Sequence, residues 1–357
     1  MKKYFYLAVA ACAALAACSK NEVTPIDVDQ EITFQTVVNK ASSRAMIDGT
    51  TYDKTNTFGT VAYAQSTGTP LYIPISEVKY YNLPKNYWST EKAYYWPKKV
   101  ELTFYSYSPY YYQESGHTST KINFTSTKDG LTLNNYSVKD HQETDLMVAD
   151  PQIDQTPATT KAFGGSWAAG VPTIFHHMLA QLKNVTFQTV DGSDNPWDYT
   201  NGHGDGTWEA GDKQFQINEV KILDFYEIGK LNAGLTNTWD IINPVTASYD
   251  YYTGTGIFGQ VAFSTKAAGE YYLLLPQDLT TGGQKLYIKY TIKTFNGSDW
   301  VDEPVEVTTD LKDIITTEKW EMNKKYTLNI RVSLNQIYWD PQVAPWTEDS
   351  FDYTVTD

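Results

Sequence analysis

The chain has 357 residues, a formal charge of −14, 28 tyrosines and two cysteines. That length can bury two domain cores of ordinary size, and the abundance of aromatic and β-branched residues suits pleated, half-buried surfaces, which points to an all-β protein. The acidic balance offers no basic stripe to neutralise phosphates and excludes a nucleic-acid binder.

The first residues, MKKYFYLAVAACAALAACSK, place Lys2 and Lys3 ahead of an apolar run too short to span a bilayer, which predicts an export signal over residues 1–17. Its end, Leu15-Ala16-Ala17-Cys18, resembles a bacterial lipobox. Signal peptidase II would then leave Cys18 as the N-terminus, carrying diacylglycerol and palmitate chains that hold the precursor in the outer membrane. The alternative is an ordinary secretory signal with an incidental cysteine. Cys12 lies inside the signal, so the mature chain retains one cysteine and must rely on its cores instead of a disulfide.

Residues 18–44 begin as a polar tether and then alternate: Ile26 and Val28, then Ile32, Phe34, Thr36 and Val38. That period of two predicts a strand with one face against a core. Arg44 follows, one of only two arginines, set among Ala41, Ser42, Ser43 and Ala45. Small residues on both sides of a long basic side chain give a trypsin-like, Arg-specific protease an extended backbone to bind. A cut between Arg44 and Ala45 would remove the strand marked by Ile32, Phe34 and Val38 and bare a sheet edge above an apolar trough. A neighbouring copy could fill that trough by adding a strand. The alternative is that Arg44 caps a surface loop and is never cut.

Further along, Trp88, Tyr95-Trp96-Pro97 and the alternating Leu102-Thr103-Phe104-Tyr105-Ser106-Tyr107-Ser108-Pro109 read as an aromatic turn leading into a strand that ends at proline. Asp145-Leu146-Met147-Val148-Ala149 follows, and the small residues Ala162 to Gly170 read as a flexible joint. The next apolar stretch is Phe175-His176-His177-Met178-Leu179-Ala180-Gln181-Leu182. On a strand its two histidines face opposite ways and cannot share a metal ion. Residues 191–212 match a calcium-loop template weakly through Asn201, Asp205, Gly206 and Asp212, but His203 falls at a position that wants oxygen. A solvated acidic turn is the alternative reading, and no metal is expected. Tyr272-Leu273-Leu274-Leu275-Pro276-Gln277 reads as a buried strand, and Trp320, Asn323 and Tyr326 precede the alternating Leu328, Ile330, Val332 and Leu334. Two C-terminal stretches could donate a strand: Ile337, Val343 and Trp346, interrupted by Pro341 and Pro345, and the cleaner alternation of Phe351, Tyr353 and Val355.

The order and spacing of these stretches resemble the fimbrillin family, the lipoprotein-derived subunits of type V pili. The resemblance implies two tandem transthyretin-like β-sandwich domains, placed here at residues 45–170 and 171–357. It also implies Arg-specific removal of the first strand, assembly with other pilin subunits by strand exchange, and a place in an adhesive cell-surface fimbrium as a shaft or tip subunit. No cofactor is expected. No nucleophile elbow, zinc-protease or P-loop string occurs, so no enzymatic activity is expected. The tyrosine runs Tyr80-Tyr81 and Tyr110-Tyr111-Tyr112 keep two alternatives open: a monomeric surface lipoprotein that binds glycan or protein, or an uncleaved anchor subunit.

Overall fold

The computed structural model describes residues 30–38, 52–112, 120–164, 170–190, 206–258, 263–264, 271–281, 283–314, 318–332 and 337–345. The protein is all-β. Its strands in chain order are β1 (Phe34–Val38), β2 (Phe58–Ala64), β3 (Leu71–Tyr81), β4 (Tyr87–Thr90), β5 (Leu102–Ser108), β6 (Thr125–Thr127), β7 (Gly130–Ser137), β8 (Met147–Ala149), β9 (Gln152–Gln155) and, after the short helix α1 (Pro157–Gly164), β10 (Val171–His177). Then come β11 (Ala180–Thr189), β12 (Lys213–Ala233), β13 (Thr238–Phe258), β14 (Phe263–Ser264), β15 (Tyr272–Leu274), β16 (Gln277–Asp278), β17 (Lys285–Phe295), β18 (Trp300–Asp310), β19 (Lys319–Trp320), β20 (Lys324–Val332) and β21 (Ile337–Pro345).

The first sheet runs β2-β3-β4-β1-β10-β8-β5, and β5 returns to pair with β2 from Gly59↔Tyr107 to Ala64↔Leu102. The circuit therefore closes into a barrel, which removes the exposed edges an open sheet would present. Strands β2 and β5 are buried at every position because both of their faces pack. Phe58, Ala62, Leu102 and Phe104 fill the barrel, whereas Val61, Tyr63, Tyr105 and Tyr107 face outward into a second core with Leu131, Leu133 and Tyr136 of β7.

That second core joins the barrel to the rest of the chain. Strand β12 is 21 residues long and forms a hairpin with β13 of equal length. Its first half pairs with β17 and its second half with β7. The third core lies between this sheet and the sheet built on β11 and β20, around Phe187, Phe215, Phe225, Trp320 and Tyr326. The sheets interleave across the joint read from the sequence: Val171–His177 lies in the barrel, while Gly130–Ser137 lies in the sheet of β12, β17 and β18. The α1 helix occupies Ala162 to Gly164 of that joint, and residues 165–169 lie outside the described residues.

Many tyrosines are deep in these cores. Burial, as the largest cause, pushes the phenols of Tyr52, Tyr107, Tyr136, Tyr249 and Tyr251 up from their ordinary value. A raised folded-state value means that the folded protein holds its phenolic protons where the unfolded chain, with values near ~10, releases them. This contribution to stability is complete below about pH 10 and declines as the pH rises further. In an alkaline titration, the last part of the tyrosinate absorbance, that of these buried phenols, is expected to appear together with the loss of the far-ultraviolet strand signal. Ionisation of all the tyrosines with the strand signal intact would contradict it.

Candidate functional site

The site is the seat of β1 in the barrel wall. Strand β1 lies between β4 and β10. It runs parallel to β10 in the register Phe34↔Val171 through Val38↔Phe175, and meets β4 at Phe34↔Trp88. Just before it, the Ile32 N–H donates to the Tyr94 carbonyl at 2.8 Å, and the Trp96 N–H donates to the Gln30 carbonyl at 2.9 Å. The segment is thus tied from Gln30 to Phe34 along one edge and from Thr33 to Val38 along the other.

Alternation places Ile32, Phe34 and Val38 on the inner face, each at most 3% exposed. Phe34 anchors the segment: its ring meets Phe58 at 5.6 Å and Phe104 at 6.0 Å, both edge to face. Thr36, on the same alternation, is half-buried. Val37, which the alternation left on the outer face, is also buried.

The floor of the seat belongs to residues downstream of Arg44. Tyr52 stacks on Phe175 at 5.0 Å and meets Phe58 and Trp88 edge to face. Its hydroxyl lies 2.7 Å from Ser108 Oγ and donates to the Thr57 carbonyl at 3.1 Å. This ring holds together the aromatic wall on which β1 rests. Gly170, one residue before β10, lets the backbones approach. A Cβ there would sit 2.3 Å from the Phe34 nitrogen and 2.5 Å from the Phe34 Cα. Both are main-chain atoms, so no side chain can swing aside. The close approach lets the Val171 N–H donate to the Thr33 carbonyl at 2.7 Å.

On the outer face, the Glu31 carboxylate accepts from Tyr87 Oη at 3.0 Å and from Ser89 Oγ at 2.7 Å, with Lys85 Nζ at 4.0 Å. Partial burial first, and then donation to Glu31, pushes the Tyr87 phenol up. Sequence reading had no signal for this contact. Only the period-two spacing of Tyr87 and Ser89, which sets both side chains on one face, hints at it.

The other sequence-predicted residues lie apart. Cys18, Arg44, Ala45, Trp346, Phe351, Tyr353 and Val355 fall outside the described residues, as do Asn201 and Asp205. The Asp212 carboxylate accepts the Glu209 N–H at 2.7 Å and closes the turn into β12. Among the described residues no group of three or more histidines, cysteines or carboxylates could hold a metal ion, and no helix is long and apolar enough to cross a membrane. Ile337 and Val343 belong to β21, which pairs antiparallel with β20 of the same chain. His176 and His177 take opposite faces of β10. His177 is buried with Nδ1 2.8 Å from Asp145 Oδ1, and His176 is partly exposed, 3.1 Å from Asp150. In the tyrosine runs, Tyr110 is buried in the second core, Tyr111 and Tyr112 pack against it, and Tyr80 is half-buried against Trp88.

The fimbrillin-like family model matches residues 43–346. Among solved structures, a fimbrial protein from Bacteroides vulgatus superposes with a TM-score of 0.59 at 18% identity, covering 88% of this chain and 100% of that one. A candidate cell adhesion protein from Bacteroides uniformis gives 0.46 at 14% identity, with coverages of 89% and 99%. A fimbrial assembly protein from Parabacteroides distasonis gives 0.41 at 9% identity, again with coverages of 89% and 99%. No curated protein matches the chain significantly. The family match over most of the chain, on a fold shared with the Bacteroides vulgatus protein, shows that this chain belongs to the fimbrillin-like family and has a structural role in fimbriae, not an enzymatic one.

Proposed function

We propose that the chain is the precursor of a shaft or tip subunit of a type V pilus. It is exported as a lipoprotein through Cys18, cut between Arg44 and Ala45, and polymerised by strand exchange. The observation that carries this reading is the seat of β1. The residues just upstream of Arg44 are structurally central, yet they are joined to the barrel only by non-covalent contacts and one stretch of chain. Hydrolysis of the Arg44–Ala45 bond would free them to leave. Uncovering the sites of Ile32, Phe34 and Val38 costs about 5 to 9 kcal/mol at the usual value per buried side chain. It also leaves unpaired amide and carbonyl groups on β4 and β10, which favours capture of another strand.

The only other arginine supports the choice of cut site. Arg331 lies in β20, paired with Gln188 of β11 on one side and Tyr338 of β21 on the other, where a protease cannot draw it out as a lone extended strand. For the donor, Ile337 to Pro345 already has a partner within its own chain, so the last stretch, with Phe351, Tyr353 and Val355, is the better candidate.

Incubating the lipidated or signal-less precursor with an Arg-specific protease is expected to remove the segment ending at Arg44 and to yield detergent-resistant ladders. The variant Arg44→Ala is expected to lose both changes entirely. Cutting elsewhere in the wild type, or ladders formed by the uncut variant, would overturn the proposal. An uncut, monomeric protein that binds glycan would favour the monomeric reading instead.

A further inference from the structure

The seat of β1 is not purely apolar. If β1 leaves, Ser89 and Tyr87 lose the carboxylate that accepts their hydroxyls, and Lys85 loses its nearest acidic partner at that edge. Ser89 is fully buried with β1 in place, so any replacement strand re-covers it and must supply an acceptor at the same position or leave it unsatisfied.

We infer that the incoming strand is selected by a carboxylate as well as by apolar shape, and that a second copy's Glu348 fills the place of Glu31. This rests on the strand-exchange reading above. The tail Glu348-Asp349-Ser350-Phe351-Asp352-Tyr353-Thr354-Val355 lies over Glu31-Ile32-Thr33-Phe34-Gln35-Thr36-Val37-Val38 without a gap. In that register Glu348 takes the Glu31 position, Phe351 takes that of Phe34, and Val355 takes that of Val38. Each matches the residue it replaces. Tyr353 takes the Thr36 position, which is half-buried. The larger mismatch is Asp349 at the fully buried Ile32 position, a cost that lowers affinity and that a single substitution can remove; Thr354 at the buried Val37 position is a smaller one, a hydroxyl on a side chain of nearly the same shape. Sliding the tail four residues brings Asp352 to the socket instead, but it puts Val355 in the large Phe34 slot and leaves nothing for that of Val38.

The test uses the protease-cut full chain and a fluorescent synthetic peptide with the sequence of residues 346–357. Native peptide is expected to bind the cut chain. E348Q is expected to weaken binding by about tenfold or more, as befits a lost charge-assisted contact. In a cut chain carrying S89A together with Y87F that difference is expected to vanish, and D349I is expected to bind more tightly than native peptide. If E348Q binds as well as native while F351A does not, or if D352N is the damaging change, the register is overturned and strand exchange stands. Ladders from a cut chain that ignores the peptide overturn the tail as donor. A cut chain that neither binds peptide nor forms ladders sinks the strand-exchange reading and this inference with it.

Discussion

Phe34→Ala is expected to lower the stability of the uncut chain by about 3 to 5 kcal/mol, the range for emptying a buried aromatic site. The ring is 3% exposed and wedged edge to face between Phe58 and Phe104, so its loss leaves a cavity bounded by rings from two other strands. Those rings are braced by Trp88, Trp96, Tyr52 and Phe175 and cannot all collapse into the gap. Urea denaturation of the uncut chain, followed by tryptophan fluorescence, measures the effect. If the segment leaves after a cut at Arg44, as proposed, the variant should then match the wild type, because the altered residue would depart with it. A destabilisation that persists in the cut chain would mean that β1 had not left.

Gly170→Ala is expected to act on both forms. Its Cβ would meet the main chain of Thr33 and Phe34 at 2.3 to 2.5 Å, well inside any tolerated contact. Relief requires β10 or β1 to move. Moving β10 breaks its pairing with β8 at Phe175↔Ala149 and disturbs the Tyr52–Phe175 stack, so displacement of β1 is the milder response. The expected cost is about 1 to 3 kcal/mol, the usual scale of overpacking, with limited proteolysis of residues 30–38 speeding up in parallel. Under the proposed cut Gly170, unlike Phe34, would stay with the mature chain, so ladder formation should also slow. Normal stability together with normal assembly would show that the approach of these two backbones is not needed.

How far the sequence revealed this arrangement depended on how local each feature is. The alternation of Ile32, Phe34 and Val38 and the run from Leu102 to Ser108 each showed a strand, because a period of two survives without any partner, but not that Val37 and both faces of Leu102–Ser108 are buried. What that period cannot show is which strand lies beside which. The parallel pairing of β1 with β10 joins residues more than a hundred positions apart, and nothing near Phe34 points to Val171. For the same reason Gly170 read as part of a flexible joint, when its role is to let two backbones pass closely. The hairpin of β12 and β13 was missed because its strands are repeatedly bulged, with register shifts at Ile217/Glu219 and Ile222/Phe225 that break the alternation. Glu31 drew no notice as one acid in an acidic chain. Only its approach to Tyr87 and Ser89 gives it a role.

The proposed polymer requires that β1 be replaced in its seat by a strand from another copy. Hydrogen exchange of the Val171, Thr173 and Phe175 amides, which alternation turns towards β1 and of which Val171 is held by Thr33, reports directly on what fills that seat. Slow exchange is expected in the uncut chain, fast exchange in the cut monomer, and slow exchange again in the polymer. Protection that stays unchanged from the uncut chain through the cut monomer would contradict the proposal, as would polymers in which these amides remain open.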